Sequence, residues 1–265
     1  MELSFDRHFG KWFVNDVLRV IKRYGLIEPG ERVAVALSGG KDSVLLLYVL
    51  RYLQRYSPLR FDLTAIHIRA FVEDDASLLR EFCRDLQVEY LEEVLDWEPA
   101  RRDLGDEPTR AICSVCARLK RGAMAALCEA RGIARLAYGH HATDAAETLL
   151  MNLCETRRLS SFTPRVEVPG RSVQIIRPLI ALDERTVAAA HRRLGLPVTS
   201  FRCRYAPVNR RADYKALLGV MAARLGLRDL PRRLVDALDQ ADPASLWANL
   251  RKDRGGRPAA PHGPP

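Results

Sequence analysis

Strand-like and helix-like segments alternate over the first two thirds of the chain and predict an α/β fold, a parallel sheet with helices on both faces. Three observations carry this. Short apolar runs recur at 32–37, 61–68, 88–95 and 133–138; longer helical runs at 42–55, 75–87, 114–131 and 144–156 separate them; and the first strand enters its helix through a glycine-rich turn. In such a sheet ligands collect beyond the carboxyl ends of the strands, where Ser38, His67 and Gly139-His140-His141 would emerge.

Ahead of the sheet, Phe13, Val14, Val17, Leu18 and Ile21 fall at spacings of three and four and predict an amphipathic helix over 8–24, which Glu28-Pro29-Gly30 ends. The run Val33 to Leu37 then leads into Ser38-Gly39-Gly40-Lys41-Asp42-Ser43, directly before Val44 to Leu50. Two glycines let the backbone approach a bulky anion, the helix start offers unpaired N–H groups, and Lys41 adds a full positive charge. This turn suits phosphate, although the spacing of the ordinary NTPase P-loop is missing. The plainer reading is a glycine turn of any α/β unit.

Between 96 and 112 the chain is polar and irregular and leads into Cys113-Ser114-Val115-Cys116 at the head of a helix. Two thiols at that spacing can grip one metal centre, and the helix start favours their thiolate forms. Cys203 is the one other cysteine in a loop-like stretch, while Cys83, Cys128 and Cys154 lie in helical patterns and are assigned to packing. Three thiolates leave one coordination position open, which suits a reactive cluster or sulfur carrier better than structural zinc; zinc and no metal stay open. After the fourth strand, Gly139-His140-His141-Ala142-Thr143-Asp144 starts another helix. There Asp144 and Glu147 also fit simple helix capping. Arg177-Pro178-Leu179 follows the apolar run 173–176; the proline could only end a strand, or Arg177 could reach a phosphate. Helical patterns at 210–226 and 231–250 predict a C-terminal extension, and 251–265, rich in Gly, Pro, Arg and Ala, should be disordered.

The formal charge over 265 residues is +9, and residues 157–233 hold 17 Lys/Arg against 5 Asp/Glu. Such an excess favours a polyanion through counterion release, although a solvated basic surface would read the same. Charges every few residues from Met1 to Phe13, and no apolar stretch of membrane-spanning length, predict a soluble, cytoplasmic protein with no membrane partner.

Taken together, Ser38 to Ser43, Cys113 to Gly122, Gly139-His140-His141 with Asp144 and Thr148, Ile176 to Leu179, and Cys203 resemble the TtcA family of tRNA thiolation enzymes, within the PP-loop ATP pyrophosphatases. The resemblance covers roughly residues 10–225. It implies a Rossmann-like PP-loop fold and ATP-dependent replacement of the C2 oxygen of a tRNA cytidine, at anticodon-loop position 32, by sulfur. Implied cofactors are ATP, Mg²⁺ and a [4Fe-4S] cluster held by Cys113, Cys116 and Cys203. ATP would contact Ser38, Gly39, Gly40, Lys41, Asp42, Ser43, His67, Gly139 and His140, with Lys41, Asp42 and Asp144 catalytic. The basic residues Arg118, Lys120, Arg121, Arg177, Arg202, Arg204, Arg210 and Arg211 are candidates for contact with tRNA. The other partner is a sulfur donor, a cysteine desulfurase or sulfide, and a homodimer stays open. Two positions depart from the family: Ser200 replaces the first cysteine of a second CxxC, and Thr143 replaces one of two paired aspartates. The implied division is an N-terminal helical segment 1–31, a PP-loop domain 32–205, a helical extension 206–250 and the tail 251–265. Uridine thiolation, amino-acid ligation to tRNA, and a nucleotide-binding iron–sulfur sensor without activity are the alternatives.

Overall fold

The computed structural model describes residues 9–69, 75–96, 102, 110–199 and 210–242, with the side chains of 9–12 and 110–113 left out. Helix α1 (Phe9–Tyr24) buries Phe13, Val17 and Ile21, the stripe expected from its spacing. Strand β1 (Arg32–Ala36) follows, then α2 (Lys41–Tyr56), β2 (Asp62–Arg69), α3 (Ser77–Asp85) and β3 (Glu89–Val94). Helix α4 (Arg110–Ala130) leads to β4 (Arg135–Ala137) and α5 (Ala142–Met151), which runs on as a π-helical turn, Asn152–Thr156. Strands β5 (Arg165–Glu167) and β6 (Gln174–Ile176), then helices α6 (Glu184–Arg193), α7 (Arg210–Leu225) and α8 (Leu230–Asp239), complete the described chain.

The six strands form one sheet in the order β3-β2-β1-β4-β6-β5. All neighbours are parallel except β5, which pairs antiparallel with β6 through a turn containing Gly170 at φ +71°. Strand β1 lies at the centre with Val33, Ala34 and Val35 at most 1% exposed, as a strand covered on both faces must be. The chain leaves β1 towards β2 and β3, then returns to β1's other side with β4. Strand order therefore reverses between β1 and β4, the place where open α/β sheets form their ligand crevice.

The strands and helices expected from sequence are present, with ends shifted by a few residues. Strand β5 and helix α6 were not expected. Strand β5 has a single apolar residue, Val166, at the sheet edge after Pro164, too little for a period-two signal. Helix α6 buries only Val187, Ala190 and His191, and its clearest mark is Asp183, whose Oδ1 accepts the Thr186 N–H at 2.7 Å. The extension is helical to Asp239. Its expected continuation over 243–250, the tail 251–265 and most of the loop 97–109 lie outside the described residues. Among the described residues no helix is long and apolar enough to cross a membrane.

Candidate active site

The loop between β1 and α2 is held by its own hydroxyls. Ser43 Oγ donates to the Gly40 carbonyl at 2.9 Å, accepts the Ser38 N–H at 3.2 Å and lies 3.1 Å from Ser38 Oγ. Gly39 sits at φ +85°, the left-handed region where a side chain is strained. Gly40 is the N-cap of α2 and has no side chain to cap it, so the first amides of the helix keep their capacity for an anion.

Behind the loop, the Leu37 N–H donates to the Ile66 carbonyl at 2.8 Å, and the Leu37 carbonyl lies 2.7 Å from His67 Nδ1. His67 is buried at 3% exposure, so its ring braces the end of β1 under the loop. Gly139, just past β4, presses on the start of α2: a Cβ there would meet the Asp42 carbonyl carbon at 2.9 Å and the Ser43 nitrogen at 3.0 Å. No larger residue fits unless α2 moves.

The charged groups converge around Lys41. Its Nζ lies 2.8 Å from Asp42 Oδ1 and 3.5 Å from Glu184 Oε1. Burial alone would lower the Lys41 pKa, but the Asp42 and Glu184 carboxylates outweigh it and hold it above its ordinary value. Buried His141 stands between two acids, Nε2 3.8 Å from Asp42 Oδ1 and Nδ1 3.3 Å from Asp144 Oδ2. The capping expected around Asp144 takes a specific form: the N-cap of α5 is His141, whose backbone N–H donates to Asp144 Oδ2 at 3.0 Å. Thr143, at the departure from the paired aspartates, accepts the Glu184 N–H on its hydroxyl at 3.0 Å.

Beside this lies a stack that sequence reasoning missed. The His140 ring is parallel to Tyr138 with centroids 5.5 Å apart and tilted against Phe162 at 5.0 Å. The Arg177 guanidinium lies over Phe162 at 4.8 Å and donates to the Thr163 carbonyl at 2.6 Å and to His140 Nδ1 at 3.4 Å. Burial and then the Arg177 charge push His140 down to about 4, so its imidazole is neutral at physiological pH. Arg177 is 6% exposed. The expectation that it reaches an RNA phosphate is corrected: it is a wall of the site, tied to a backbone carbonyl and two rings. A second missed group is Glu147, buried on α5, whose carboxyl burial and then Asp144 push up to about 7 against Arg211 and Lys215.

The cysteines divide. Cys83 and Cys128 are fully buried, and burial pushes both thiols up to about 12, as packing residues should be. The same assignment for Cys154 is corrected: it is exposed, because the widened turn at 152–156 breaks the helical phase that would have turned it inward. Cys116 is half-buried on α4, and Cys113 lies three residues earlier on that helix with its side chain outside the described set. Helix α4 begins at Arg110, not 114, so the pair sits inside its first two turns. Because α4 leads into parallel β4, these turns lie at the carboxyl edge of the sheet, with the glycine loop. Cys203, Arg202 and Arg204 lie outside the described residues, but the chain approaching them is fixed: the Thr199 N–H donates to the Gly39 carbonyl at 3.0 Å. Of the remaining basic candidates, Arg118 and Arg210 are exposed, and Lys120, Arg121 and Arg211 half-buried. Arg210 pairs with Glu155 at 2.7 Å.

The residues fit the groups expected of them. An uncapped helix start with Gly39 and Lys41 suits a pyrophosphate, and Asp42 and Asp144, on either side of His141, are carboxylates of the kind that Mg²⁺ takes when phosphates complete its shell. No cluster of three or more His, Cys, Asp or Glu placed to hold a metal occurs among the described residues. A CxxC on one helix, with a third cysteine four residues past Thr199, is a thiolate set suited to an iron–sulfur cluster.

Comparison with known proteins agrees. A family model described as a PP-loop domain matches residues 5–198. A tRNA-cytidine(32) 2-sulfurtransferase of Geobacter metallireducens is 36% identical over 256 residues, 95% of this chain and 91% of that one. The protein of that name from Geobacter sulfurreducens is 32% identical over 238 residues, 89% and 86% of the two chains. Among solved structures, the U34-tRNA thiolase NcsA from Methanococcus maripaludis with its [4Fe-4S] cluster superposes with a TM-score of 0.72, over 88% of this chain and 80% of that one. At 22% identity that likeness speaks for the fold. The glycine loop, its position at the strand-order reversal and the near full-length relatives give one answer: the chain belongs to the PP-loop family and, within it, to the tRNA-cytidine(32) 2-sulfurtransferases.

Proposed function

We propose that this protein thiolates a tRNA cytidine at C2, position 32 of the anticodon loop, consuming ATP and releasing AMP and pyrophosphate. The observation that carries the reading is the Thr199–Gly39 hydrogen bond of 3.0 Å. Four residues of extended chain span at most about 14 Å. Cys203 is four residues past Thr199 in sequence, so that length of chain is the most that can separate it from Thr199, while Cys113 and Cys116 fall in the first turns of α4.

The chemistry sets the order of events. The C2 carbonyl of cytidine is a poor electrophile with no leaving group, so its oxygen attacks the α-phosphate of ATP first and pyrophosphate departs. The first amides of α2, with Ser38, Ser43 and Lys41, hold that departing charge, and Lys41 exchanges its contacts with Asp42 and Glu184 for phosphate oxygens. Asp42 or Asp144 would hold Mg²⁺, which would offset phosphate charge, and His141 stands between the two carboxylates, within 3.8 Å of one and 3.3 Å of the other. The neutral stack of Tyr138, His140 and Phe162 offers flat apolar surface for a base, and His67 shapes the adenine side from beneath the loop. Cys113, Cys116 and Cys203 hold the cluster, which when bound supplies a position for sulfide. Sulfide then adds at C2, loses its proton, and AMP leaves with the original oxygen; where a cysteine desulfurase is the source, a thiol reductant supplies the two electrons that bring its persulfide sulfur to the sulfide level. Arg118, Lys120, Arg121, Arg202, Arg204, Arg210 and Arg211 supply phosphate contacts to tRNA. The catalytic unit is residues 32–205, with the extension beside it.

Anaerobic reconstitution with ATP, sulfide and unmodified tRNA, read by nucleoside mass spectrometry and AMP release, tests this. The expected product is 2-thiocytidine, lost about a hundredfold or more in Cys116→Ser while nucleotide binding persists. Intact thiolation after separate serine substitution of Cys113, Cys116 and Cys203 would overturn the reading in favour of a cluster-free modification.

A further inference from the structure

Glu184 connects two parts of the molecule that share no segment of sequence. Its carboxylate lies between Lys41 Nζ on the phosphate loop, at 3.5 Å, and Lys215 Nζ on α7, 2.7 Å from Oε1 and 2.6 Å from Oε2. Lys41 in turn sits 2.8 Å from Asp42. Alternating charges thus run Asp42, Lys41, Glu184, Lys215 from the site to the C-terminal extension. The Thr143 hydroxyl holds the near end of α6 in place through the Glu184 N–H. Side-chain exposures of 33%, 32%, 26% and 52% along the chain mean that solvent screens the interactions only in part.

The signs of these charges have a consequence for any phosphate arriving at Lys41. Glu184 competes with the phosphate for the ammonium group and also repels the phosphate directly; Lys215, by neutralising Glu184, weakens both effects. We propose that Lys215 sets the nucleotide affinity of the phosphate loop indirectly, through Glu184. This rests on the loop being the triphosphate site.

The relay predicts opposite outcomes for its two members. Removing Lys215 leaves Glu184 unneutralised and weakens nucleotide binding, about threefold for a partly exposed pair. Removing the Glu184 charge leaves affinity equal or higher, because the competitor for Lys41 is gone. With Glu184 already neutral, Lys215 loses the carboxylate that links it to Lys41, and its removal changes affinity no further.

Calorimetric titration of the full-length holoprotein with an α,β-methylene analogue of ATP, at fixed ionic strength, tests this in wild type, K215M, K215R, E184Q and E184Q/K215M. The expected result is weaker binding in K215M, recovery in K215R, and no effect of K215M in the E184Q background. Equal weakening by K215M in both backgrounds would overturn the relay, because Lys215 would then act on the phosphate directly or through the packing of α7. The two layers separate cleanly: wild-type binding tests the loop as a nucleotide site, and the background dependence of K215M tests Glu184 as intermediary.

Discussion

Helix α2 reaches the phosphate loop with nine buried residues along its length and a backbone contact with Gly139 too close for a methyl group. Helices α7 and α8 fully bury one residue each, Leu218 and Leu230, against Ala146 and Leu150 of α5, with Tyr214, Met221, Ala222 and Leu234 only partly buried around them, and add polar pairs at the rim. The first region cannot move without losing its packing, whereas the second can adjust at small cost. A rigid corner suits a site that must hold departing pyrophosphate in one geometry. A less deeply packed basic helix suits the tRNA contacts proposed for Arg210 and Arg211.

The same substitution made in each region gives the sharpest contrast. Gly139→Ala drives a methyl into the Asp42 carbonyl carbon at 2.9 Å, and because the obstacle is backbone, the first turn of α2 must shift with its amides and Lys41. The expected outcome is a loss of about 1–3 kcal/mol in chemical denaturation, and a fall in AMP formation of about a hundredfold, since misplacement by an ångström costs that much. Gly219→Ala in α7 meets nothing within 4 Å, and alanine should stabilise that helix by about 0.5–1 kcal/mol. Equal effects at the two glycines would erase the distinction.

What sequence could show follows the same division. The loop was legible because glycines, a lysine and flanking apolar runs lie within a dozen residues, and local geometry dictates each. The tie between Lys41 and Glu184 was not, because it depends on α6 folding back against α2, and α6 has too few apolar positions to show a period. Arg177 looked like a phosphate ligand because its residue type is commonly exposed; only Phe162 and the Thr163 carbonyl, brought alongside by the short β5–β6 pair, reveal a buried wall. Cys154 was read as packed because helical spacing was extended through 156, and sequence gives no sign of the π turn.

Glu147 lies on the seam between the two regions, on α5 facing Arg211 and Lys215 of α7, with Asp144 and Glu184 as like charges. Its folded-state value of about 7 lies above the ordinary carboxylate range, so the native state holds this proton more tightly than the unfolded chain. The resulting stabilisation is complete below the unfolded value of about 4.3 and is lost as pH rises through 7. Glu147→Gln, which stays uncharged, should therefore exceed wild type in stability by about 3 kcal/mol at most above neutrality, and the gap should close towards acid. Urea denaturation across that range reads it directly. A constant difference at every pH would mean that Glu147 carries no excess proton.

The smallest effect belongs to the outermost joint. Tyr24 on α1 donates its hydroxyl to Asp239 Oδ1 at 2.8 Å, and Arg23 pairs with the same carboxylate, so the end of α8 is fastened to the N-terminal helix by one exposed acid. Burial, the hydrogen bond and the Asp239 charge together raise the Tyr24 phenol above its ordinary value. Pairs of this exposure contribute about 0.2–1 kcal/mol. Asp239→Asn should therefore lower stability by no more than that, shrink further in high salt, and move the Tyr24 titration, followed by ultraviolet absorbance, back towards an ordinary phenol. A penalty as large as that of Gly139→Ala would show that α8 is fastened as firmly as α2.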